Sequence, residues 1–138
     1  MFKVNKKQLI KKIAQKYSIK LLLLFGSRVT GKIHKESDYD IAYLSSRKLN
    51  LDEEGRLINE LLFIVGEHDE RMINLVNIRK ASPLLLYAMT SNAQVIFEKE
   101  PAIFARLRAY AFKKYIETKP LYEERKKRLQ EHFTPHNL

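Results

Sequence analysis

The chain has 138 residues, with 26 Lys and Arg against 16 Asp and Glu, for a formal net charge of +10. It contains no Cys, which excludes a disulfide scaffold, a Cys nucleophile and any Cys-ligated zinc or iron–sulfur centre. Hydrophobic residues make up 45% with only four Gly and four Pro, which excludes disorder and collagen-like repeats and leaves one folded domain of ordinary size.

The first segment predicts a helix. Asn5 is a candidate N-cap with Gln8 three residues on, and Leu9, Ile10, Ile13, Ala14 and Tyr17 follow a helical stripe. Residues 18–25 form a short apolar run ended by Gly26, the profile of a strand buried on both faces. Residues 27–33 contain Gly31 and predict a turn or brief helix. Residues 38–44 alternate, with Asp38, Asp40, Ala42 and Leu44 on one face and Tyr39, Ile41 and Tyr43 on the other.

Asn50 with Glu53 is a second capping signal, and Leu57, Ile58, Leu61, Leu62 and Val65 form the stripe of the helix behind it. Residues 72–78 predict a third strand. Pro83 suits the first turn of a further helix through residue 89, and residues 94–98 predict a fourth strand. From Pro101 to about His132 the pattern is helical, with Ile103, Phe104, Leu107, Ala111 and Tyr115 on one face. Pro120 is expected to break or kink it. Residues 122–132 are charged nearly all round, as in a solvent-bridging helix or a partner surface. The order α-β-(short α)-β-α-β-α-β-α predicts an α/β (α+β) protein: a small mixed sheet with helices packed mainly on one face. Residues 1–100 are expected to form the core, and 101–138 a helical extension packing on the core or on a partner.

The longest apolar runs fall far short of the ~20 residues a membrane span needs. The basic N-terminus lacks a following apolar region, so no targeting signal and a cytoplasmic location are expected. The positive charge favours polyanions such as nucleotides, nucleic acid or an acidic protein surface. Direct nucleic-acid binding is not favoured, because no motif accompanies the charge.

The stretch that carries chemistry runs from Gly26 to Asp40. It reads Gly-Ser, ten residues, then Asp-x-Asp. Gly26 ends an apolar strand and lets a ligand approach the backbone closely. Ser27 offers a hydroxyl, and the N–H groups after it open a short helix; both suit phosphate oxygens. Asp38 and Asp40 project from one strand face, where two carboxylates repel unless a cation neutralises them. Magnesium held by one or two carboxylates plus substrate phosphates meets that condition.

With these residues the chain resembles the nucleotidyltransferases of the DNA polymerase β superfamily. It is most similar to the minimal nucleotidyltransferase (MNT) antitoxins of bacteria and archaea. The resemblance runs from the first helix to about Glu98, and the helical tail is similar as well. It implies the polymerase β-like nucleotidyltransferase fold. It also implies a HEPN-type toxin as partner, ATP as substrate, a two-metal magnesium site and AMP transfer to a tyrosine hydroxyl of the toxin. Carried over, Gly26, Ser27 and Arg28 hold the triphosphate, and Asp38 and Asp40 bind metal.

One position departs from the family. Its third carboxylate lies on a later strand, in a stretch resembling Val-Asp-Leu-Val-Asp-Leu. Here that stretch is Ile73-Asn74-Leu75-Val76-Asn77-Ile78, so Asn74 takes the catalytic position and Asn77 the second, less critical one. An amide can lend its carbonyl oxygen to a metal but carries no charge and accepts no proton as a carboxylate can. The second metal is therefore expected to be held weakly. Asp69 and Glu70 lie four or five residues upstream, more than ~13 Å along a strand, too far to substitute.

Other candidates lack support. Arg125 and His132 match the Arg-x6-His spacing of HEPN ribonucleases, but they fall in a segment rich in Arg and Lys. His132 and His136 are separated by Pro135, which opposes a helical metal pair. Tyr110, Tyr115 and Tyr122 read as packing residues. The leading expectation is an MNT-type enzyme acting as antitoxin. The alternative is a catalytically weakened fold that neutralises its partner by contact. A small-molecule or antibiotic nucleotidyltransferase is disfavoured, because only about 40 residues follow Glu98 where an added substrate domain would be needed. A homo-oligomer is also open.

Overall fold

The structure, a computed structural model, describes residues 2–30 and 38–132. In chain order its elements are α1 (Phe2–Lys16), β1 (Ile19–Phe25), α2 (Ser27–Thr30), β2 (Tyr39–Ser45), α3 (Leu51–Val65), β3 (Ile73–Asn77), α4 (Pro83–Ser91), β4 (Gln94–Glu98) and α5 (Ile103–His132). The four strands form one mixed sheet in the order β3-β2-β1-β4. β1 pairs antiparallel with both β2 and β4, and β2 pairs parallel with β3. This is the element order and the fold class expected from the sequence.

The sheet splits the core into two halves. On one face Ile13, Ala14 and Tyr17 of α1 and Leu57, Leu61 and Leu62 of α3 pack on Ile19, Leu22, Ile41, Tyr43 and Ile73. On the other face Leu86 and Met89 of α4 and Ala111 of α5 pack on Leu21, Leu23 and Ala42. In this detail the structure departs from the expected one-sided arrangement, since helices cover both faces. The reason is in β1. It is apolar at nearly every position, so each face exposes a surface that needs a helix against water. A register shift between Ile19 and Leu21 turns Ile19 onto the face of Leu22 rather than that of Leu21.

Local signals set the helix ends. Asn50 caps α3 in a reciprocal box: the Glu53 N–H donates to Asn50 Oδ1 at 2.8 Å, and the Asn50 N–H donates to Glu53 Oε1 at 3.2 Å. Arg47 adds an ion pair to the same Glu53 at 2.6 Å. The helix stops at Gly66, whose φ of 77° is the left-handed conformation that glycine adopts without strain. Within this half of the core, the Tyr43 hydroxyl donates to Glu54 Oε2 at 3.0 Å. Burial and that carboxylate push Tyr43 well above the usual phenol range, so it stays a donor. Ser82 caps α4, accepting from the Leu85 N–H at 3.2 Å, with Pro83 in the first turn.

Two expectations about helix ends are corrected. α1 begins at Phe2, so Asn5 lies inside the helix instead of capping it. No Gly or Pro interrupts residues 2–16, and lysines propagate a helix well. α5 runs from Ile103 through Pro120 to His132 without a break. Proline removes only the bond to the Ile116 carbonyl, and Ile116 is exposed, so water can satisfy that oxygen. Ile103, Phe104, Leu107 and Ala111 seat the first half of α5 on the sheet, and Tyr115 stacks on Tyr87 of α4 at 4.0 Å between ring centroids. The part of the expected turn over residues 31–33 lies outside the described residues.

Replacing Asn50 with Ala removes one half of the α3 capping box. It is expected to destabilise the chain by about 1 kcal/mol. Urea unfolding should show a lower midpoint with an unchanged slope, and Asn50→Asp should retain most of the stability.

Candidate functional site

The register of the sheet brings three of the sequence candidates together. Phe25, the last residue of β1, pairs with Asp40 of β2, and Asp40 pairs with Asn74 of β3. Partners across a sheet share a face, so Asp40 and Asn74 both stand on the side of Leu23, Ala42 and Val76. Gly26 follows directly at the end of β1. The chain turns there at φ 79° and enters α2, with the Val29 N–H donating to the Gly26 carbonyl at 3.1 Å.

Gly26 is fixed by its contact with Asp40. A Cβ at position 26 would sit 2.2 Å from Asp40 Oδ2 and 3.1 Å from its Cγ. A side chain there would push the Asp40 carboxylate from its position. From its place after an apolar strand, Gly26 was expected to admit a ligand; in the structure Asp40 itself occupies the space a side chain would need. The other oxygen, Asp40 Oδ1, accepts from Asn74 Nδ2 at 3.1 Å. The carboxylate is thus held between a backbone surface and an amide donor. Asp40 is half-buried and Asn74 exposed, so the group opens to solvent.

The remaining candidates are arranged around this pair. Asp38 is exposed and precedes β2 by one residue. Ser27 opens α2, and its side chain lies outside the described residues, as do Gly31 and residues 32–37. Arg28 places its guanidinium carbon 4.1 Å from the centre of the Tyr39 ring. Tyr39 packs with the opposite half of the core, between the two aspartates in sequence. Its role as a platform for Arg28 was not read from the sequence; an aromatic residue inside Asp-x-Asp, beside a Gly-Ser-Arg turn, is the signal that could have suggested it.

Asn77 does not join Asn74. It is three residues on, facing the other way, and its Oδ1 accepts from the Arg79 N–H at 3.1 Å to cap the short helical turn Ile78–Lys80. Asp69 is engaged elsewhere too. It accepts from the Arg71 backbone at 2.9 Å and pairs with the Arg71 side chain at 2.9 Å, which holds its carboxyl below the usual range. Asp69 is thus taken up by Arg71 rather than facing Asp40 and Asn74. Among the described residues, no three His, Asp or Glu side chains converge so as to hold a metal ion by themselves. Nor is any described helix long and apolar enough to cross a membrane.

The protein adenylyltransferase MntA of Aphanizomenon flos-aquae (strain 2012/KM1/D3) is 31% identical over 87 residues, which is 59% of this chain. The match spans 58% of that relative's own length. A toxin–antitoxin crystal structure with AMP-PNP matches with a TM-score of 0.69 at 22% identity, over 93% of this chain and 98% of the matched one. A complex of a tri-AMPylated Shewanella oneidensis HEPN toxin with an MNT antitoxin matches with a TM-score of 0.65 at 20% identity, over 97% and 100% of the two chains. At these identities the structural likeness establishes the fold. The family model for polymerase beta nucleotidyltransferases matches residues 7–102, from α1 through β4 with the Gly26–Asp40 contact inside it, and the chain belongs to that family.

Proposed function

We propose that this protein is an MNT-type nucleotidyltransferase that silences a HEPN-type toxin by transferring AMP from ATP to a tyrosine hydroxyl of the toxin. The observation that carries the reading is Asp40 lying against Gly26 at the turn into α2, inside the family's matched region. The naming of one relative as an adenylyltransferase, and the AMP-PNP and the AMPylated HEPN toxin in the related complexes, support the reaction and the partner.

Asp38 and Asp40 are suited to a divalent cation that arrives with the nucleotide. Magnesium commonly takes one or two carboxylates and completes its shell with phosphates and water, so a full protein cage is not required. When bound, the cation neutralises phosphate charge. Gly26 lets the Asp40 carboxylate lie against the start of α2, and Ser27 and Arg28 stand at that turn to bind the triphosphate. The tyrosine oxygen forms a bond to the α-phosphorus while the bond to the leaving pyrophosphate breaks. Such a transfer needs mostly positioning and charge neutralisation, so a small domain can suffice.

Asn74 limits the chemistry. It faces Asp40 where the family places its third carboxylate, and an amide cannot take the phenol's proton. This favours a second reading: a slow or silent transferase that binds nucleotide and neutralises its partner by contact. The expected location is the cytoplasm, where ATP and a ribonuclease toxin meet.

Three measurements test the site and separate the two readings. Asp38→Asn with Asp40→Asn should abolish magnesium-dependent ATP binding in a folded protein, as read by calorimetry; unchanged affinity would remove the site assignment. Gly26→Ala should weaken the same binding, since its methyl displaces Asp40 and its backbone is strained by roughly 1–2 kcal/mol. Asn74→Asp should raise AMP transfer to the partner at least about tenfold, a barrier change of roughly 1.4 kcal/mol. If wild type and Asn74→Asp both fail to transfer AMP from labelled ATP yet both silence the partner, binding alone is the function.

A further inference from the structure

The bond between Asn74 and Asp40 has a direction. An ionised carboxylate only accepts, so the amide must turn its Nδ2 toward Asp40 and its Oδ1 away. Asn74 therefore presents partial positive charge to Asp40 at 3.1 Å. The two residues are registered partners on neighbouring parallel strands, so backbone pairing holds them opposite each other. An aspartate at position 74 would face Asp40 charge to charge in the same place. The second oxygen of Asp40 is confined as well, because it lies over Gly26.

We propose that Asn74 is a positioning residue: its amide holds Asp40 in place when no nucleotide is bound, so the empty site does not require or retain a free divalent ion. A cation is then held only when nucleotide phosphates supply the rest of its ligands. This rests on the reading of Asp40 as a ligand of the nucleotide's cation. Asn74 can join that shell only by turning its amide about χ2, which exchanges Nδ2 for Oδ1 and gives up the bond to Asp40.

The test uses the whole chain alone, with neither nucleotide nor partner. Thermal melts are taken in chelator and in manganese, and manganese binding is titrated by calorimetry. Wild type should melt at the same temperature in both. Asn74→Asp should melt lower than wild type in chelator, recover in manganese, and bind manganese at least about tenfold more tightly than wild type. The reciprocal swap, Asp40→Asn with Asn74→Asp, rebuilds the same amide–carboxylate bond with donor and acceptor exchanged. It should restore the wild-type melt in chelator and stay indifferent to manganese, a recovery that loss of packing alone would not produce.

A wild type stabilised by manganese as much as Asn74→Asp would overturn the inference. So would an Asn74→Asp protein equally stable in chelator, or a swap that recovers nothing. An Asn74→Asp chain that folds only with manganese supports it; one that folds in neither condition, beside a swap that folds no better, overturns it. Absence of AMP transfer to a HEPN partner would sink the transferase reading and leave these melts unchanged.

Discussion

The Asp40 carboxylate lies where any side chain at position 26 would have to stand, and the site depends on that contact. It couples the last residue pair of β1 and β2 to the turn that opens α2. The turn takes φ 79° and the carboxylate occupies the space a Cβ would fill, so two separate demands fall on one residue, and glycine meets both without strain. Loss of either would move the carboxylate relative to the backbone of α2. A strand register, a turn and a functional group are therefore specified together.

That arrangement is held by an almost wholly apolar central strand. Leu21, Leu22 and Leu23 are all fully buried, and they alternate between the two halves of the core. With α1 and α3 on one face and α4 and α5 on the other, β1 cannot slip by one residue without exchanging both sets of contacts. The pairing of Phe25 with Asp40 inherits this rigidity. β3 is different: it lies at the sheet edge, and Asn74 is exposed there. The site thus has a rigid wall, carrying Gly26 and Asp40, and an open side, carrying Asn74.

Much of this was legible in the sequence because it is local. The Asn50–Glu53 box, Ser82 with Pro83, the apolar run of β1 and the alternation of β2 each depend on neighbours within a few residues. The pattern from Gly26 to Asp40 offered a candidate site for the same reason: the turn and the next strand are adjacent in the chain. What was not legible is set between distant segments or by solvent. Helices on both faces follow from how α4 and α5 return to the sheet, which periodicity in single segments does not reveal. Pro120 was read as a break or kink on the rule for helix interiors, yet α5 runs through it without a break, since its position on an exposed stretch lets water replace the lost bond. Position 74 could be read as the site of a missing carboxylate, but not as an amide donating to Asp40, since 34 residues separate the two.

The open side bears on what kind of acceptor the proposed reaction can use. A small acceptor must be held by the enzyme itself, which calls for a pocket enclosing most of its surface. Here Asn74 is exposed, Asp38 is exposed and Asp40 only half-buried. An acceptor hydroxyl on a folded protein arrives already oriented by its own chain. It needs from this domain only a docking surface and a fixed phosphate. The α5 helix carries exposed Tyr110, Phe112, Ile116, Leu121 and Leu129 along its length, apolar surface beyond what seats it on the sheet. Binding energy gathered on such a surface can position a hydroxyl at an open site, just as remote contacts on a large substrate contribute to orientation at the reacting atoms. An exposed site on a rigid wall, in a domain that also carries a long helix with unseated apolar surface, therefore suits a macromolecular acceptor better than a small molecule.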